Sequence, residues 1–212
     1  MTSFNKTDNI IFDLGQVIVA VNEKHIYSAL EKINPPKQNI TEIIFKHQDF
    51  KLFELGKISE QDFFSRLGQL LWVDDTKLSD VVDAWNAMIV DIPIEGLHLL
   101  KKLKNHFSLF ALSNTNVSHI HTINRLLMNN FKIRDVKELF HHVYYSCEIG
   151  LRKPDPKIFQ HVLLQQNLLP EYTLFIDDNI ENIAAARNVG LQTIHLTEQK
   201  KLADELNKHG II

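Results

Sequence analysis

Cysteine is almost absent from this chain, since Cys147 is the single one among 212 residues. An intramolecular disulfide is therefore excluded, which is compatible with a reducing compartment. Positive charge is not in excess either, because 23 Lys and Arg residues face 26 Asp and Glu residues, for a formal net charge of −3. Such a balance lacks the basic surface with which proteins bind nucleic acid or anionic membranes. We therefore expect neither as a partner.

Long apolar runs and glycine-rich loops are missing as well. No stretch approaches the roughly 20 apolar residues that a membrane-spanning helix needs, and the polar residues 1–6 do not form a signal-peptide pattern. The seven glycines are scattered, so the sequence has no glycine-rich phosphate-binding loop. From these absences we expect a soluble, cytoplasmic protein.

Short apolar runs alternate with helical patterns in two parts of the sequence. The strand-like runs lie at 9–14, 107–112, 142–146, 173–176 and 192–196. The helical patterns lie at 95–105, 117–128, 157–166, 180–189 and 198–208. Alternation of this kind predicts a parallel sheet with helices on both faces. The predicted fold class is therefore α/β, with a doubly wound, Rossmann-like core.

The stretch from Asn22 to about Val90 has helical periodicity and no convincing strand. Its helix signals include N-caps at Asn22 and Ser59, a stop at Pro35-Pro36 and a start at Thr41-Glu42. Its tryptophans, Trp72 and Trp85, are predicted to be core residues. We predict an α/β core at 1–18 and 92–212 and an inserted, all-helical small cap domain at 19–91.

Polar side chains follow the predicted strands of the core. They are Asp13, Ser113, Asn114, Asp177 and Asp178, and Lys153 joins them from a proline-rich loop before a helix. Because ligands bind at the carboxyl ends of the strands in open parallel sheets, we expect these residues along one rim. Any one of them alone would be explained more simply as a turn residue, a helix cap or a solvated charge.

Together these residue types suit phosphoryl transfer. Three clustered carboxylates repel one another unless a cation lies among them, and hard oxygen ligands favour Mg²⁺. A carboxylate can attack phosphorus and form an aspartyl-phosphate. Serine, lysine and main-chain N–H groups can hold the remaining phosphate oxygens and offset the charge of the transition state.

In this order, the residues resemble the four motifs of the haloacid dehalogenase superfamily. The matching strings are Phe-Asp-Leu-Gly-Gln-Val at 12–17, Leu-Ser-Asn at 112–114, Leu-Arg-Lys-Pro-Asp-Pro at 151–156 and Phe-Ile-Asp-Asp-Asn-Ile-Glu-Asn at 175–182. The helical insertion between the first two motifs resembles the small helical cap of that family. The most similar subgroup is the one that contains the bacterial α-D-glucose-1-phosphate phosphatase.

The resemblance implies a Mg²⁺-dependent phosphatase that hydrolyses a small phosphate monoester. It implies that the catalytic residues are Asp13, the nucleophile, and Lys153, that Ser113, Asn114 and Lys153 bind substrate, and that Asp13, the Gly15 carbonyl, Asp177 and Asp178 hold Mg²⁺. The expected partner is thus a small-molecule phosphate ester, and we expect a monomer or a weak homodimer.

Gly15 departs from the commonest pattern of the superfamily. Most of its phosphatases have a second Asp two residues after the nucleophile, which acts as general acid and base, whereas Gly15 has no side chain. General acid catalysis is worth ~10²–10⁴-fold, so its loss should matter least for a good leaving group. We therefore expect a preference for esters such as a hexose 1-phosphate.

Three alternatives remain open at the level of sequence. A metal-independent 2-haloacid dehalogenase also lacks the second Asp, although the Asp177-Asp178 pair would be of no use to it. A signalling receiver domain uses similar residues, but in a different order. A non-catalytic binding protein with the same fold is compatible with Gly15.

Histidines and cap residues give weaker signals. The pairs His119/His121 and His141/His142 have no acidic or cysteine partners at a zinc-binding spacing, and surface or loop positions are expected for them. Polar cap residues that could face a substrate are His25, His47 and Glu54, and the sequence does not distinguish among them.

Overall fold

The computed structural model describes residues 6–33 and 47–212. Its strands are β1 (Asn9–Phe12), β2 (Ala20–Val21), β3 (Ile89–Asp91), β4 (Ser108–Ser113), β5 (His142–Tyr145), β6 (Thr173–Asp177) and β7 (Gln192–His195). Five of them form a parallel sheet in the order β5-β4-β1-β6-β7. The chain starts at the central strand and winds outward to both edges, which confirms the predicted doubly wound α/β fold.

The helices follow the capping signals of the sequence. They are α1 (Glu23–Ile33), α2 (Gln48–Glu54), α3 (Glu60–Leu70), α4 (Leu78–Asn86), α5 (Ile94–Leu103), α6 (Val117–Phe131), α7 (Ser146–Ile149), α8 (Pro156–Gln166), α9 (Ile180–Asn188) and α10 (Leu202–Lys208). Asn22 caps α1 by accepting from the Lys24 N–H at 3.1 Å, and Ser59 caps α3 by accepting from the Asp62 N–H at 3.0 Å. The signals at 35–36 and 41–42 lie outside the described residues.

Apolar side chains cover both faces of the sheet. Along β1, Ile10 and Phe12 belong to the cluster on one face and Ile11 to the cluster on the other, and all three side chains are fully buried. This alternation follows from the two-residue period of a strand, and burial on both faces explains why β1 is a continuous apolar run. Within the described residues, no helix is both long and apolar enough to cross a membrane.

The insertion has an apolar cluster of its own, built on residues such as Ile26, Phe53, Phe63 and Trp85. It is not all-helical, however, and that prediction was wrong. Strands β2 and β3 pair antiparallel where the insertion leaves and rejoins the core. Strands of two and three residues are too short to produce a recognisable alternation in the sequence.

Trp72 is a second correction, because it is 89% exposed rather than part of a core. Helix α3 ends at Leu70, and Trp72 follows with φ of 55° in the left-handed region, where the chain turns outward. Trp85 is fully buried, as predicted.

Candidate active site

The carboxyl ends of the three central strands bring the predicted polar residues to one rim. Asp13 directly follows β1, and its N–H donates to the Ile176 carbonyl of β6 at 2.9 Å. Ser113 ends β4, and Asp177 ends β6. Because all five strands run parallel, their ends meet at the same edge of the sheet, as the sequence predicted.

Lys153 lies between two carboxylates. Its ammonium Nζ is 2.9 Å from Asp13 Oδ1 and 2.7 Å from Asp177 Oδ2, and the side chain is almost fully buried. Burial would lower the pKa of Lys153, but the neighbouring charges of Asp13 and Asp177 outweigh it and the pKa is raised. Lys153 is therefore a cation held in place by two opposite charges.

Asp177 has donors on both of its oxygens. Oδ2 accepts from Lys153, Oδ1 accepts from the Asn179 N–H at 2.8 Å, and the Asn182 amide lies 3.1 Å from each oxygen. The residue is fully buried at the end of β6, three residues before helix α9 begins. No role was predicted for Asn182 from the sequence, although it is the last residue of the string that resembles the fourth motif.

Asn114 clamps the main chain of Lys153. Its amide Nδ2 donates to the Lys153 carbonyl at 2.9 Å, and its Oδ1 accepts from the Lys153 N–H at 2.8 Å. The side chain therefore fixes the loop that carries Lys153, and a contact of Asn114 with a substrate stays a prediction.

Ser113 presents a hydroxyl at the rim. The side chain is buried at the end of β4, and among the described residues no group hydrogen-bonds to its Oγ. A hydroxyl that is placed on the rim and not used by the fold is available to a ligand.

Three carboxylates gather beside Lys153. Each of Asp13, Asp177 and Asp178 offers an oxygen, and these oxygens lie within 4.8 Å of one another. Burial, together with Asp177 and Asp178, raises the pKa of Asp13 to about 7, although Lys153 opposes the rise. Burial and the charge of Asp177 also raise the pKa of Asp178. The cluster thus carries more negative charge than one lysine offsets, and its all-oxygen donor set suits a hard cation.

The histidine pairs take no part in this cluster, which is the single group of three or more His, Cys, Asp or Glu residues with metal-binding spacing in the described part of the chain. The expected surface or loop position was wrong for His119, which is buried in the first turn of α6. Its ring stacks on Trp85 of the insertion with a centroid distance of 5.5 Å. The buried contact between two aromatic rings explains the position, and burial lowers the pKa of His119 to about 4.

One of the three cap candidates reaches the core. Glu54 at the end of α2 accepts from Arg152, with 2.7 Å between Oε2 and Nη2, and Arg152 immediately precedes Lys153. Burial raises the pKa of Glu54, and Arg152 opposes the rise. His47 instead caps α2 by accepting from the Asp49 N–H at 3.3 Å, and His25 is exposed.

A family model described as Haloacid dehalogenase-like hydrolase matches residues 10–196 of the chain. The chain belongs to the haloacid dehalogenase-like hydrolases. The match includes all the rim residues described above, and this confirms the superfamily that the four motifs indicated. The narrower glucose-1-phosphate phosphatase subgroup stays a prediction.

Two relatives that the chain matches over most of their length are named as phosphatases. The chain is 27% identical to the D-ribitol-5-phosphate phosphatase of Bacteroides thetaiotaomicron, over 87% of this chain and 89% of that protein. It is 26% identical to the sesquiterpene phosphatase astK of Aspergillus oryzae, over 78% of this chain and 81% of that protein. A solved structure of the HAD family enzyme bt-2542 from B. thetaiotaomicron, in complex with magnesium and inorganic phosphate, is 29% identical, has a TM-score of 0.79 and aligns over 89% of this chain and 93% of that one.

Proposed function

We propose that this hydrolase is a Mg²⁺-dependent phosphatase that acts on small phosphate monoesters through an aspartyl-phosphate on Asp13. The observation that carries the proposal is the rim itself. A strand-end carboxylate is held by a buried lysine, with two further carboxylates and an unused serine hydroxyl beside it. The phosphatase names of the relatives support the same chemistry.

One carboxylate oxygen of Asp13 is bound by Lys153, and the other is free to attack phosphorus. Lys153 is bound to Oδ1, which leaves Oδ2 to form a bond to phosphorus while the bond from phosphorus to the ester oxygen breaks. The leaving alcohol takes a proton from solvent. Water then attacks the phosphorus of the aspartyl-phosphate, and inorganic phosphate leaves as the Asp13 carboxylate is restored. Lys153 and the Ser113 hydroxyl would hold the non-bridging oxygens of the phosphoryl group.

The carboxylates of the site fit a divalent cation. Because burial raises its pKa, Asp13 takes up a proton more readily than an exposed aspartate does, and a protonated carboxyl is a poor nucleophile. Mg²⁺, when bound, would supply the positive charge that keeps Asp13 ionised and that screens the phosphoryl oxygens. We propose Asp13, Asp178 and the Gly15 carbonyl as its main ligands, because both oxygens of Asp177 already accept hydrogen bonds.

Asp177 and Asn114 then position Lys153, and Asn114 remains a proposed substrate-binding residue as well. Asp177 fixes the ammonium of Lys153, and Asn114 fixes its main chain. The insertion at 19–91 would serve as the cap over the core formed by 1–18 and 92–212, and it would exclude water from the rim during reaction.

The leaving group distinguishes among substrates. Because Gly15 offers no side chain for proton transfer, we propose a higher kcat for phosphates of acidic hydroxyls, such as hexose 1-phosphates, than for simple alkyl phosphates. The relative named for D-ribitol 5-phosphate acts on the ester of a primary alcohol. Both kinds of ester therefore belong in one substrate panel, and equal kcat values would contradict the preference.

The proposal is tested by phosphate release from this panel, with p-nitrophenyl phosphate included and with Mg²⁺ or EDTA added. We expect Asp13→Asn to lower kcat by ~10³-fold or more, the scale seen when a nucleophile is removed. Asp8→Asn, a change at an exposed carboxylate, is the matched control. Full activity of Asp13→Asn would refute the nucleophile, and halide release from chloroacetate in EDTA would favour the dehalogenase alternative.

A further inference from the structure

A partly buried ion pair joins the insertion to the loop of the catalytic lysine. Glu54 and Arg152 are 98 positions apart in the sequence, yet their side chains meet at 2.7 Å. Glu54 is buried and Arg152 is only partly exposed. Arg152 shares a peptide bond with Lys153, so a force on its side chain acts directly on the backbone that carries the catalytic ammonium.

The main chain of Glu54 is fixed to the core at the same place. The fully buried Ser146 hydroxyl lies 2.6 Å from the Glu54 carbonyl, to which it donates, and it accepts from the Thr115 N–H at 2.9 Å. Thr115 lies two residues beyond Ser113. A single residue of the insertion therefore contacts the segment of Lys153 directly and is linked to the segment of Ser113 through the Ser146 hydroxyl.

The backbones of the two parts also approach closely here. Gly56 has φ of +64°, and a Cβ added to it would lie 2.0 Å from the Cys147 carbonyl oxygen. Beside this contact, a pocket of about 440 Å³ is lined by Phe53 and Ile58 of the insertion and by Ile120 of the core. The polar contacts made by Glu54 therefore add to apolar contacts, such as that of Val117 with the insertion's cluster, in seating the insertion on the core.

We propose that Glu54 and Arg152 are positioning residues of the phosphatase reaction, which set Lys153 between Asp13 and Asp177 when the insertion is seated on the core. This inference rests on the proposed function. The Glu54 carboxylate pulls Arg152 from one side, while Asn114 holds the Lys153 main chain from the other. Docking of the cap on the core is thereby coupled to the positioning of the catalytic lysine.

Removal of the carboxylate charge tests the proposal. We expect Glu54→Gln to lower kcat by ~10²-fold, the effect of a catalytic group misplaced by about 1 Å, with little change in KM. Glu54→Asp, which keeps the charge, should recover part of the loss. Arg66→Gln is the matched control, because Arg66 pairs with Asp49 at 2.9 Å within the insertion alone.

The double variant Glu54→Gln/Arg152→Gln separates positioning from stability. The double variant keeps no charge at either position, so its melting temperature should be higher than that of Glu54→Gln. Its kcat should nevertheless stay low. If kcat recovered together with the melting temperature, the pair would be merely structural and the proposal would be overturned. Should Glu54→Gln fail to fold, the double variant compared with the wild type carries the test.

A fluorescence measurement reports the seating independently of activity. Trp85 is buried against His119 of the core, whereas Trp72 is exposed and can be replaced by Phe. In that background we expect acrylamide to quench Trp85 more strongly in the double variant, and unchanged quenching would contradict the seating role. If the wild type hydrolyses no ester, the proposed function fails and the catalytic role fails with it. An active wild type with unaffected variants refutes the positioning role alone.

Discussion

Acidification should weaken the fold through His119, the histidine that stacks on Trp85. The ring is buried, and its Nδ1 lies 3.1 Å from the Asn116 amide. Burial lowers the pKa of His119 from 6.5 to about 4. The unfolded chain therefore binds a proton at a higher pH than the folded chain does, and the free energy of unfolding falls as the pH drops from 6.5 towards 4.

The size of the effect follows from this pKa difference. About 2.5 units at 1.36 kcal/mol each correspond to ~3 kcal/mol once the pH is below 4. At pH 5 the same linkage gives ~2 kcal/mol relative to pH 7. This is a substantial fraction of the 5–15 kcal/mol by which most domains are stable.

Urea unfolding at pH 7 and pH 5 checks the prediction. His119→Phe keeps a flat ring on Trp85 but cannot take up a proton, so its loss of stability between the two pH values should be smaller by ~2 kcal/mol. His121→Phe removes an exposed histidine of the same helix and should behave like the wild type. The buried carboxylates of the active site also titrate, but they are common to all three proteins. Equal losses in the wild type and in His119→Phe would refute the reasoning.

Three further substitutions have defined outcomes. Ser146→Ala removes the hydroxyl that accepts from the buried Thr115 N–H, which then has no partner. Chemical denaturation should show that the free energy of unfolding falls by ~1–3 kcal/mol. Gly56→Ala places a methyl group against the Cys147 carbonyl at positive φ, and we expect its melting temperature to fall more than that of Gly96→Ala, where a Cβ meets nothing. Asn182→Ala removes the amide that holds the buried carboxylate at the end of β6, so kcat should fall about tenfold or more, and an unchanged kcat would contradict its orienting role.

Local sequence patterns were sufficient to predict the rim. Asp13, Ser113 and Asp177 each follow a short, mostly apolar run, and such a run with turn residues after it is typical of a parallel strand that is buried on both faces. Once the strands are parallel, their ends must share an edge. The fold and the clustering of these residues could therefore be predicted from short segments of sequence.

The contacts that orient the rim could not be predicted in this way. The Asn114 clamp on Lys153 spans 39 positions and the Glu54–Arg152 pair spans 98, so neither produces a periodic signal. His119 was misplaced for a related reason. A histidine on a helix is equally compatible with solvent and with burial, and its position is decided by Trp85 from a different segment of the chain.

Burial also explains why the adjacent Asp177 and Asp178 at the end of β6 have different roles. Asp177 is fully enclosed and its oxygens accept hydrogen bonds from Lys153, Asn179 and Asn182, so its charge is used to hold the lysine. Asp178 is less enclosed, and burial and its neighbour's charge raise its pKa. A bound cation would therefore interact most favourably with the carboxylates of Asp178 and Asp13, because the pKa of Asp13 is raised as well. Asp178→Asn should accordingly raise the Mg²⁺ concentration needed for half-maximal activity, whereas Asp177→Asn should lower kcat at saturating Mg²⁺ by releasing Lys153.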